Sequence, residues 1–252
     1  MDSASSRHAA VTSELEPLSE FCKIAIVAAL EREVWPLVKN WHSIRKEYDG
    51  RSLKFFEKGD VVVVCGGIGG EPARRAAEAV IALYDPALVI SAGFAGALDP
   101  TFEVGQTFTA RQVIDARDGS HIDWGSGNGV LISFSEVADV EQKAKLRRAY
   151  GAHAVDMEAA AVARSAEVHG VRFLACKVIS DSSASSLPPL TRFASSDGKF
   201  HTLKFLAHIA VRPWLWARVQ KLASDSSVAA GKLSVALAEA SQAQVSEKVL
   251  TR

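Results

Sequence analysis

Two carboxylates stand two positions apart in the stretch AVDMEAAAVARSAEVHG, where a short apolar run turns into a helical pattern. They are Asp156 and Glu158. An acidic residue at the start of a helix gains about 0.3–1 kcal/mol from the helix dipole, and many helices carry one for that reason alone. The other interpretation is that Glu158 binds a substrate. The residues that the fold brings to Glu158 decide between the two.

Further acidic residues and two glycine-rich stretches follow predicted buried strands. Glu33 comes after KIAIVAAL and Asp181 after RFLACKVIS, while GGIGG (66–70) and SAGFAGAL (91–98) follow two other strands. In open α/β sheets, ligands bind beyond the carboxyl ends of the strands. We therefore expect Glu33, Glu158 and Asp181 to meet both glycine-rich turns at one rim of the sheet.

Each of these features also has an ordinary structural explanation. Asp181 is a suitable helix N-cap, Glu33 a suitable first-turn acid, and GGIGG a tight strand-to-helix turn. GGIGG lacks the Gly-Lys-Ser/Thr of a phosphate-binding loop and the full dinucleotide fingerprint, which argues against a dinucleotide-dependent oxidoreductase. Its backbone amides can still approach an anion or hydroxyl groups closely. The recurrence of such residues at strand ends favours a functional site.

Short unbroken apolar runs alternate with helical patterns through most of the chain. Runs such as KIAIVAAL, ALVISAG, GVLIS and RFLACKVIS are typical of strands buried on both faces of a sheet. The pattern predicts an α/β fold: a single three-layer α/β/α domain with a mixed, mainly parallel central sheet. The predicted helices cover residues 31–41, 70–85, an exposed one at 141–151, and 158–169.

The ends of the chain differ from this pattern. Residues 1–20 are predicted to be a polar, poorly ordered leader, and residues 21–252 the domain, which is helical from about residue 200. The polar, proline-bearing segment 181–199 is predicted to be a long loop, and long loops in compact domains are often functional.

Composition excludes several classes of protein. Lys plus Arg and Asp plus Glu both number 29, so the net charge is zero and there is no overall positive field for nucleic acid. No run approaches the ~18 apolar residues of a membrane span. Cys22, Cys65 and Cys176 lie far apart in apolar runs, which favours buried free thiols over disulfides or a zinc site. We expect a cytoplasmic protein.

Five stretches resemble, in order and spacing, the nucleoside phosphorylase/nucleosidase superfamily, and most closely its 5′-methylthioadenosine/S-adenosylhomocysteine nucleosidase branch. They are KIAIVAALEREV, VVVVCGGIGG, PALVISAGFAGALDPTFEVGQTF, AVDMEAAAVA and VISD, and the resemblance covers roughly Lys23 to Ser182. The paired DMEAAA and ISD motifs are its most specific part.

The resemblance implies roles for individual residues. Glu158, together with Met157, would hold the 2′ and 3′ hydroxyls of a ribose. Asp181 would donate a proton or a strong hydrogen bond to purine N7, and Ser180 would orient it. Glu33 would position and activate the attacking water.

The remaining residues implied by the resemblance would line the substrate. The backbone of Val137 would contact the adenine edge. The ribose and anion side would be lined by Gly67, Gly69, Gly93, Phe94 and Ala95.

The chemistry of N-ribosidic bond cleavage agrees with these residue types. Positive charge develops on the sugar and negative charge on the base, so a carboxylate stabilises the first and an acid at N7 the second. General acid catalysis of this kind gives ~10²–10⁴-fold. No metal or organic cofactor is needed. The implied partners are a small-molecule nucleoside and a second copy of the chain in a homodimer.

Departures from the family pattern bear on the nucleophile and the base pocket. The chain between QVIDARDGS and GVLIS is short, and Phe94 replaces a small hydroxyl residue. Ser91 stands where family phosphorylases carry an Arg for phosphate, which favours water with Glu33. Arg74 and Arg75 are alternative ligands for phosphate, so phosphate stays open as a co-substrate.

The C-terminal third, rich in aromatic and basic residues, resembles the hopanoid-associated phosphorylase branch, which removes adenine from adenosylhopane. Adenine release from such a 5′-substituted, lipid-linked nucleoside is the resulting hypothesis. Trp214 and Trp216, beside Arg212 and Arg218, would shape an apolar channel or touch a membrane surface. Packing of both tryptophans in the core or a subunit interface is equally compatible.

Two alternative functions stay open. One is hydrolysis of 5′-methylthioadenosine or S-adenosylhomocysteine. The other is a nucleoside-binding module without catalysis, which the presence of Glu33, Glu158 and Asp181 argues against, because a binder needs no base-protonating acid.

Overall fold

The computed structural model describes residues 24–124, 127–185 and 228–239. The helices are α1 (Glu31–Val38), α2 (Gly70–Tyr84), α3 (Val140–Tyr150) and α4 (Ala159–Val168), and residues 228–239 form a further helix. The strands are β1 (Ile24–Ala28), β2 (His42–Tyr48), β3 (Arg51–Lys58), β4 (Val61–Cys65), β5 (Leu88–Ala97), β6 (Thr107–Asp115), β7 (His121–Asp123), β8 (Gly129–Ser133), β9 (Ala154–Asp156) and β10 (Arg172–Asp181).

The strands form one mixed sheet in the order β10-β6-β8-β9-β5-β1-β4-β3-β2, with β7 paired to β6. Because β10 also pairs with β5, the strands β5, β9, β8, β6 and β10 close into a ring. Five of the ten strand pairings in the described chain are parallel. The expected mixed sheet is confirmed, with antiparallel neighbours as frequent as parallel ones.

Helices cover both faces of the sheet, which confirms the expected three-layer α/β/α arrangement. On one face α2 packs against α4, through buried small residues such as Ala76 and Ala163. On the other face, Val34 and Val38 of α1 share a core with Leu233 of the 228–239 helix. Successive side chains of β1 point alternately into the two cores. Every position of the strand is therefore buried, which is why its sequence is an unbroken apolar run.

The stretch SAGFAGAL was expected to be a glycine-rich turn, and this expectation is wrong. It is the second half of β5, and Lys177 of β10 lies opposite Gly93 in the parallel ladder. Gly93 has φ +147°, a value that side-chain-bearing residues rarely adopt. The glycine therefore continues the strand with an irregular backbone instead of ending it.

The sequence also missed smaller elements. The edge strand β2 has no apolar signal because it is mostly exposed, and β7 has none because it is only three residues long and also mostly exposed. The helix predicted at 141–151 is confirmed as α3 and ends at Gly151, with φ +61°. Its predicted exposure is wrong at Lys143, which is 2% exposed.

Several expectations lie outside the described residues: the leader 1–20, Cys22, most of the predicted loop 181–199, and Trp214 with Trp216. Cys65 is half-buried and Cys176 buried, and both are free thiols as predicted. No helix within the described ranges is long and apolar enough to cross a membrane.

The approach of α2 to the end of β4 predicts a stability effect at Gly66. A Cβ at Gly66 would lie 2.6 Å from the carbonyl oxygen of Pro72 and 2.8 Å from Cβ of Ala76, both on α2. We expect Gly66→Ala to lower the free energy of unfolding by about 1–3 kcal/mol through overpacking. Urea unfolding followed by circular dichroism measures the change.

The matched control is Gly231→Ala in the 228–239 helix. A Cβ there would meet no atom within 4 Å, and alanine is up to about 1 kcal/mol more favourable than glycine in a helix. If Gly66→Ala is as stable as the wild type, α2 does not pack as closely against Gly66 as the structure shows.

Candidate active site

A lysine in the middle of an apolar strand is the centre of one charge cluster. Lys177 is 1% exposed. Its Nζ lies 2.9 Å from Oδ2 of Asp156 and donates to Oγ of Ser91 at 3.0 Å. Burial alone would lower the pKa of Lys177, but the charges of Asp156, Glu158 and Glu33 outweigh burial and raise it. Lys177 is therefore an ammonium ion at neutral pH.

Asp156, not Glu158, has the helix-start role. Its Oδ2 accepts a hydrogen bond from the amide of Ala159 at 2.9 Å, and its Oδ1 accepts one from Oγ of Ser133 at 2.5 Å. The same Ser133 oxygen accepts from the amide of Ala160 at 2.9 Å. Asp156 and Ser133 thus satisfy the first amides of α4, which otherwise have no partner within the helix.

Glu158 stands immediately before α4 and makes no side-chain capping bond to it. Its Oε1 instead accepts a hydrogen bond from the amide of Gly69 at 2.8 Å, and its Oε2 one from the amide of Met157 at 3.3 Å. Burial, and next the charge of Asp156, raise the pKa of Glu158 to about 7. Glu158 thus occupies the N-cap position of α4, but its carboxyl is held by the GGIGG loop and the amide of Met157 instead of by the amides of the helix.

Glu33 joins the same cluster from α1. It is 7% exposed, and its Oε2 accepts a hydrogen bond from the amide of Leu30 at 3.2 Å. A Cβ at Gly93 would lie 3.4 Å from Oε2 of Glu33 and 3.8 Å from Nζ of Lys177. Burial raises the pKa of Glu33. Gly93 thus leaves the space in which this carboxyl and the ammonium approach each other.

The GGIGG loop presents its amides to the protein itself. Gly67 and Gly69 have φ of +108° and +98°, values that favour glycine. The amide of Gly67 donates to the carbonyl of Ala29 at 3.0 Å. This amide was expected to face a ligand, and for Gly67 that expectation is wrong. The amide of Gly69 does bind a carboxylate, that of Glu158.

The predicted direction from which Glu158 approaches the rim is wrong, although Glu158 does meet the GGIGG loop there through the amide of Gly69. Strands β4, β1, β5 and β10 are neighbours in that order and run parallel. Glu33 follows β1, the GGIGG loop follows β4, and Asp181 is the last residue of β10. Strand β9 runs antiparallel to β5, with Val155 opposite Gly96. Because β9 runs back along β5, Glu158 reaches the cluster beside the middle of β5, opposite to the predicted direction.

Asp181 forms a second buried centre at the end of β10. It is 6% exposed and forms an ion pair through Oδ2 with Nζ of Lys143 on α3. Oγ of Ser180 donates to Oδ1 of Asp181 at 2.6 Å, which supports the predicted orienting role of Ser180. A Cβ at Gly96 would lie 3.2 Å from Oδ2 of Asp181, so glycine gives the acid its space. Asp181 caps no helix here.

Strands β5 and β10 position both centres. Lys177 and Asp181 are four residues apart on β10, opposite Gly93 and Gly96 of β5. The register shifts between Ile179 and Asp181, so Lys177 and Asp181 are separated by the length of three β5 residues, about 10 Å at the usual rise per strand residue. A ligand lying along these strands would contact both centres.

The other predicted site residues lie on β5, directly before Glu158, and between β8 and α3. Phe94 and Ala95 are part of β5, Phe94 packs against the α1-side core, and Ala95 is buried. Met157 is half-buried beside Glu158, and Val137 is half-buried between β8 and α3. Their roles in substrate binding stay predictions.

The sequence reasoning missed two cations of the site. Lys177 had a signal, because a lysine inside the apolar run RFLACKVIS must be paired if the strand is buried. Lys143 had none, since it is one of several charged residues on a polar helix. Within the described residues no group of acidic, histidine or cysteine side chains is arranged to hold a metal ion.

Comparison with known families decides the relationship. The family described as the Phosphorylase superfamily matches residues 23–133 and 127–199, more than half of the chain. This chain belongs to the phosphorylase superfamily. The expected family is thereby confirmed, and the chain is an enzyme of the class that includes nucleosidases and nucleoside phosphorylases.

Individual relatives agree with this membership. A 5′-methylthioadenosine/S-adenosylhomocysteine nucleosidase of Staphylococcus aureus (strain bovine RF122 / ET3-1) is 26% identical over 196 residues, which cover 63% of this chain and 86% of that protein. The nucleosidase of the same name from Campylobacter jejuni superposes with a TM-score of 0.61 at 17% identity, covering 84% of this chain and 97% of that one. For futalosine hydrolase of Helicobacter pylori the TM-score is 0.57 at 20% identity, with 64% and 88% covered. These two structures share the fold.

The raised pKa of Glu158 predicts how stability depends on pH. Between its ordinary value of 4.5 and about 7, the folded protein keeps a proton that the unfolded chain releases. The stabilisation is complete below pH 4.5 and is lost as the pH rises through about 7, by up to about 1.4 kcal/mol per pH unit. We expect the free energy of unfolding to fall more steeply from pH 5 to 7 in the wild type than in Glu158→Gln.

Urea unfolding at four pH values measures both slopes. Glu33 contributes in the same direction but is present in both proteins, so the difference isolates Glu158. Parallel curves would show that Glu158 titrates as an ordinary exposed carboxyl.

Proposed function

We propose that the protein hydrolyses the N-glycosidic bond of an adenine-type purine nucleoside and releases the base. The observation that carries this proposal is the charge balance around Lys177. Three carboxyl groups interact with this ammonium ion: those of Glu33 and Asp156, which are buried, and that of Glu158, which is half-buried. Once Glu33 and Glu158 are ionised, the cluster has surplus negative charge, which stabilises the positive charge that develops on a ribose as the bond breaks.

Glu158 is the proposed ribose-binding residue. Its carboxyl accepts amide hydrogen bonds in the ligand-free protein, and its pKa of about 7 lets ribose hydroxyls shift it to the ionised form. Hydrogen bonds from the 2′ and 3′ hydroxyls would strengthen as charge develops on the sugar. Glu158 would then contribute to kcat as well as to binding.

Water is the proposed nucleophile, with Glu33 as its base. Burial raises the pKa of the Glu33 carboxyl, which makes its ionised form a stronger proton acceptor than an exposed carboxylate. The same carboxylates would repel a phosphate dianion. Arg74 and Arg75, the candidate phosphate ligands, instead form ion pairs with Glu71 and Glu78 on their own helix.

Asp181 distinguishes an enzyme from a binding module. It is buried, it lies on the strand that also bears Lys177, and it corresponds by resemblance to the acid at purine N7. A protein that only binds a nucleoside has no need of a buried acid at this position.

Release of adenine from adenosine-type nucleosides, with and without phosphate, tests the proposed function. We expect turnover in phosphate-free buffer and no more than a twofold increase with phosphate. Asp181→Asn should lower kcat at least ~10²-fold, because asparagine has no acidic proton to pass on. Chromatography of free adenine measures the rates.

The control variant is Asp123→Asn, which changes an exposed aspartate that accepts a hydrogen bond from Gln112. Its kcat should match that of the wild type. Strict dependence on phosphate would replace hydrolysis by phosphorolysis, and full activity of Asp181→Asn would contradict acid catalysis at this residue.

The 5′ group of the substrate is proposed from the sequence alone, because Trp214 and Trp216 lie outside the described residues. A lipid-linked substituent burying about 100 Å² would gain about 2.5 kcal/mol, near a seventyfold preference. We expect kcat/KM for a long-chain 5′-alkyl adenosine to exceed that for methylthioadenosine by such a factor. The homodimer and contact with a membrane surface also stay predictions.

Replacing both tryptophans, Trp214→Ala and Trp216→Ala, should remove this preference. A preference for the methylthio compound in wild type and variant alike would favour a nucleosidase for small 5′ groups.

A further inference from the structure

Lys143 is buried on a helix that is otherwise polar. It is 2% exposed, and its Nζ forms the ion pair with Oδ2 of Asp181. The same nitrogen donates to the carbonyl of Ser182 at 2.8 Å and to that of Ser185 at 3.0 Å. These three acceptors match the three N–H donors of an ammonium group.

Both oxygens of Asp181 accept hydrogen bonds in this arrangement. Oδ2 accepts from Lys143 and Oδ1 accepts from Oγ of Ser180. Asp181 thus lies between the ammonium group of Lys143 and the hydroxyl of Ser180, and Lys143 is the contact from which a proton for purine N7 can be drawn.

We propose that Lys143 is a positioning residue that stores this proton and supplies it through Asp181. The inference rests on the proposed function. As the bond between C1′ and N9 breaks, its electron pair leaves with the base. One proton passes from Nζ of Lys143 to Oδ2 of Asp181, and from Asp181 to N7.

The proton balance closes within the hydrolysis. The base leaves as neutral adenine, Asp181 is again a carboxylate, and Lys143 is left as a neutral amine. The attacking water adds hydroxide to C1′ and gives its proton to Glu33. Release of that proton to solvent and uptake of one by Lys143 restore the resting enzyme.

Neighbouring charged groups pair with other partners. On α3, Lys145 pairs with Glu141, and Arg147 pairs with Asp99, which follows β5. On β10, Lys177 pairs with Asp156. On the loop before α3, Glu136 accepts a hydrogen bond from Gln142.

Gly96 is the β5 residue beside Asp181 and has no side chain to titrate. Among the described residues, Lys143 is thus the cation in contact with the acid.

The pH profile of kcat for Lys143→Met tests the proposal. In the wild type Lys143 resupplies Asp181 with the proton that passes to N7. The variant has no ammonium group at this contact, so each proton must come from solvent, which supplies fewer as the pH rises. We expect the alkaline limb of kcat to move down by at least about one pH unit and kcat at pH 8 to fall at least tenfold, with KM changed less than threefold. A uniform loss of kcat with no shift of the limb would overturn the proposal.

Two further measurements separate proton supply from structure. Lys143→Arg keeps the charge and the ion pair, but a guanidinium does not release its proton, so kcat should stay at least tenfold low at every pH. Recovery of wild-type kcat in this variant would overturn the proposal.

An N7-methylated purine nucleoside, whose base needs no proton at N7, should be cleaved by Lys143→Met at nearly the wild-type rate. An equal loss on both substrates contradicts the proposal. Failure of the wild type to release any base would instead reject the proposed function itself.

Discussion

The pairing of one buried ammonium ion with several carboxyl groups is the constraint on which the site depends. Lys177 is on a central strand, where an unpaired charge would be strongly destabilising, so Asp156 and Ser91 must lie within reach of it. Asp156 in turn fixes the start of α4, and the start of α4 fixes Glu158. The position of the proposed ribose-binding carboxyl is thus determined by a charge that the substrate need not contact.

The second centre is built by the same two strands. Gly93 and Gly96 lie three residues apart on β5, and each leaves room for an acidic side chain from another element. Side chains at these positions would crowd Glu33 at one and Asp181 at the other. This explains why a strand of the interior contains glycines, which usually weaken strands.

The sequence predicted what depends on local pattern. Apolar runs located β1, β5, β8 and β10, and apolar residues at helical spacing located α1, because burial of a face leaves a period in the sequence. The family resemblance located Glu33, Glu158 and Asp181; the structure buries Glu33 and Asp181 and half-buries Glu158. What failed depends on contacts between distant segments. The direction of β9, the strand character of SAGFAGAL and the pairing of Lys143 with Asp181 come from tertiary packing, and no local pattern encodes them.

Because β5, β9, β8, β6 and β10 close into a ring, the protein has fewer strand edges at which chains could aggregate. An open sheet has two edge strands with unpaired backbone groups that can recruit another chain. Here β10 is paired on both sides, so in the described chain β2 is the long strand left at an edge. Arg45, Lys46 and Glu47 place three consecutive charged side chains along β2, and strands so charged are poor templates for aggregation. The polar residues of β2 gave no apolar signal from which the strand could be predicted. The same residues keep a further strand from pairing with this edge.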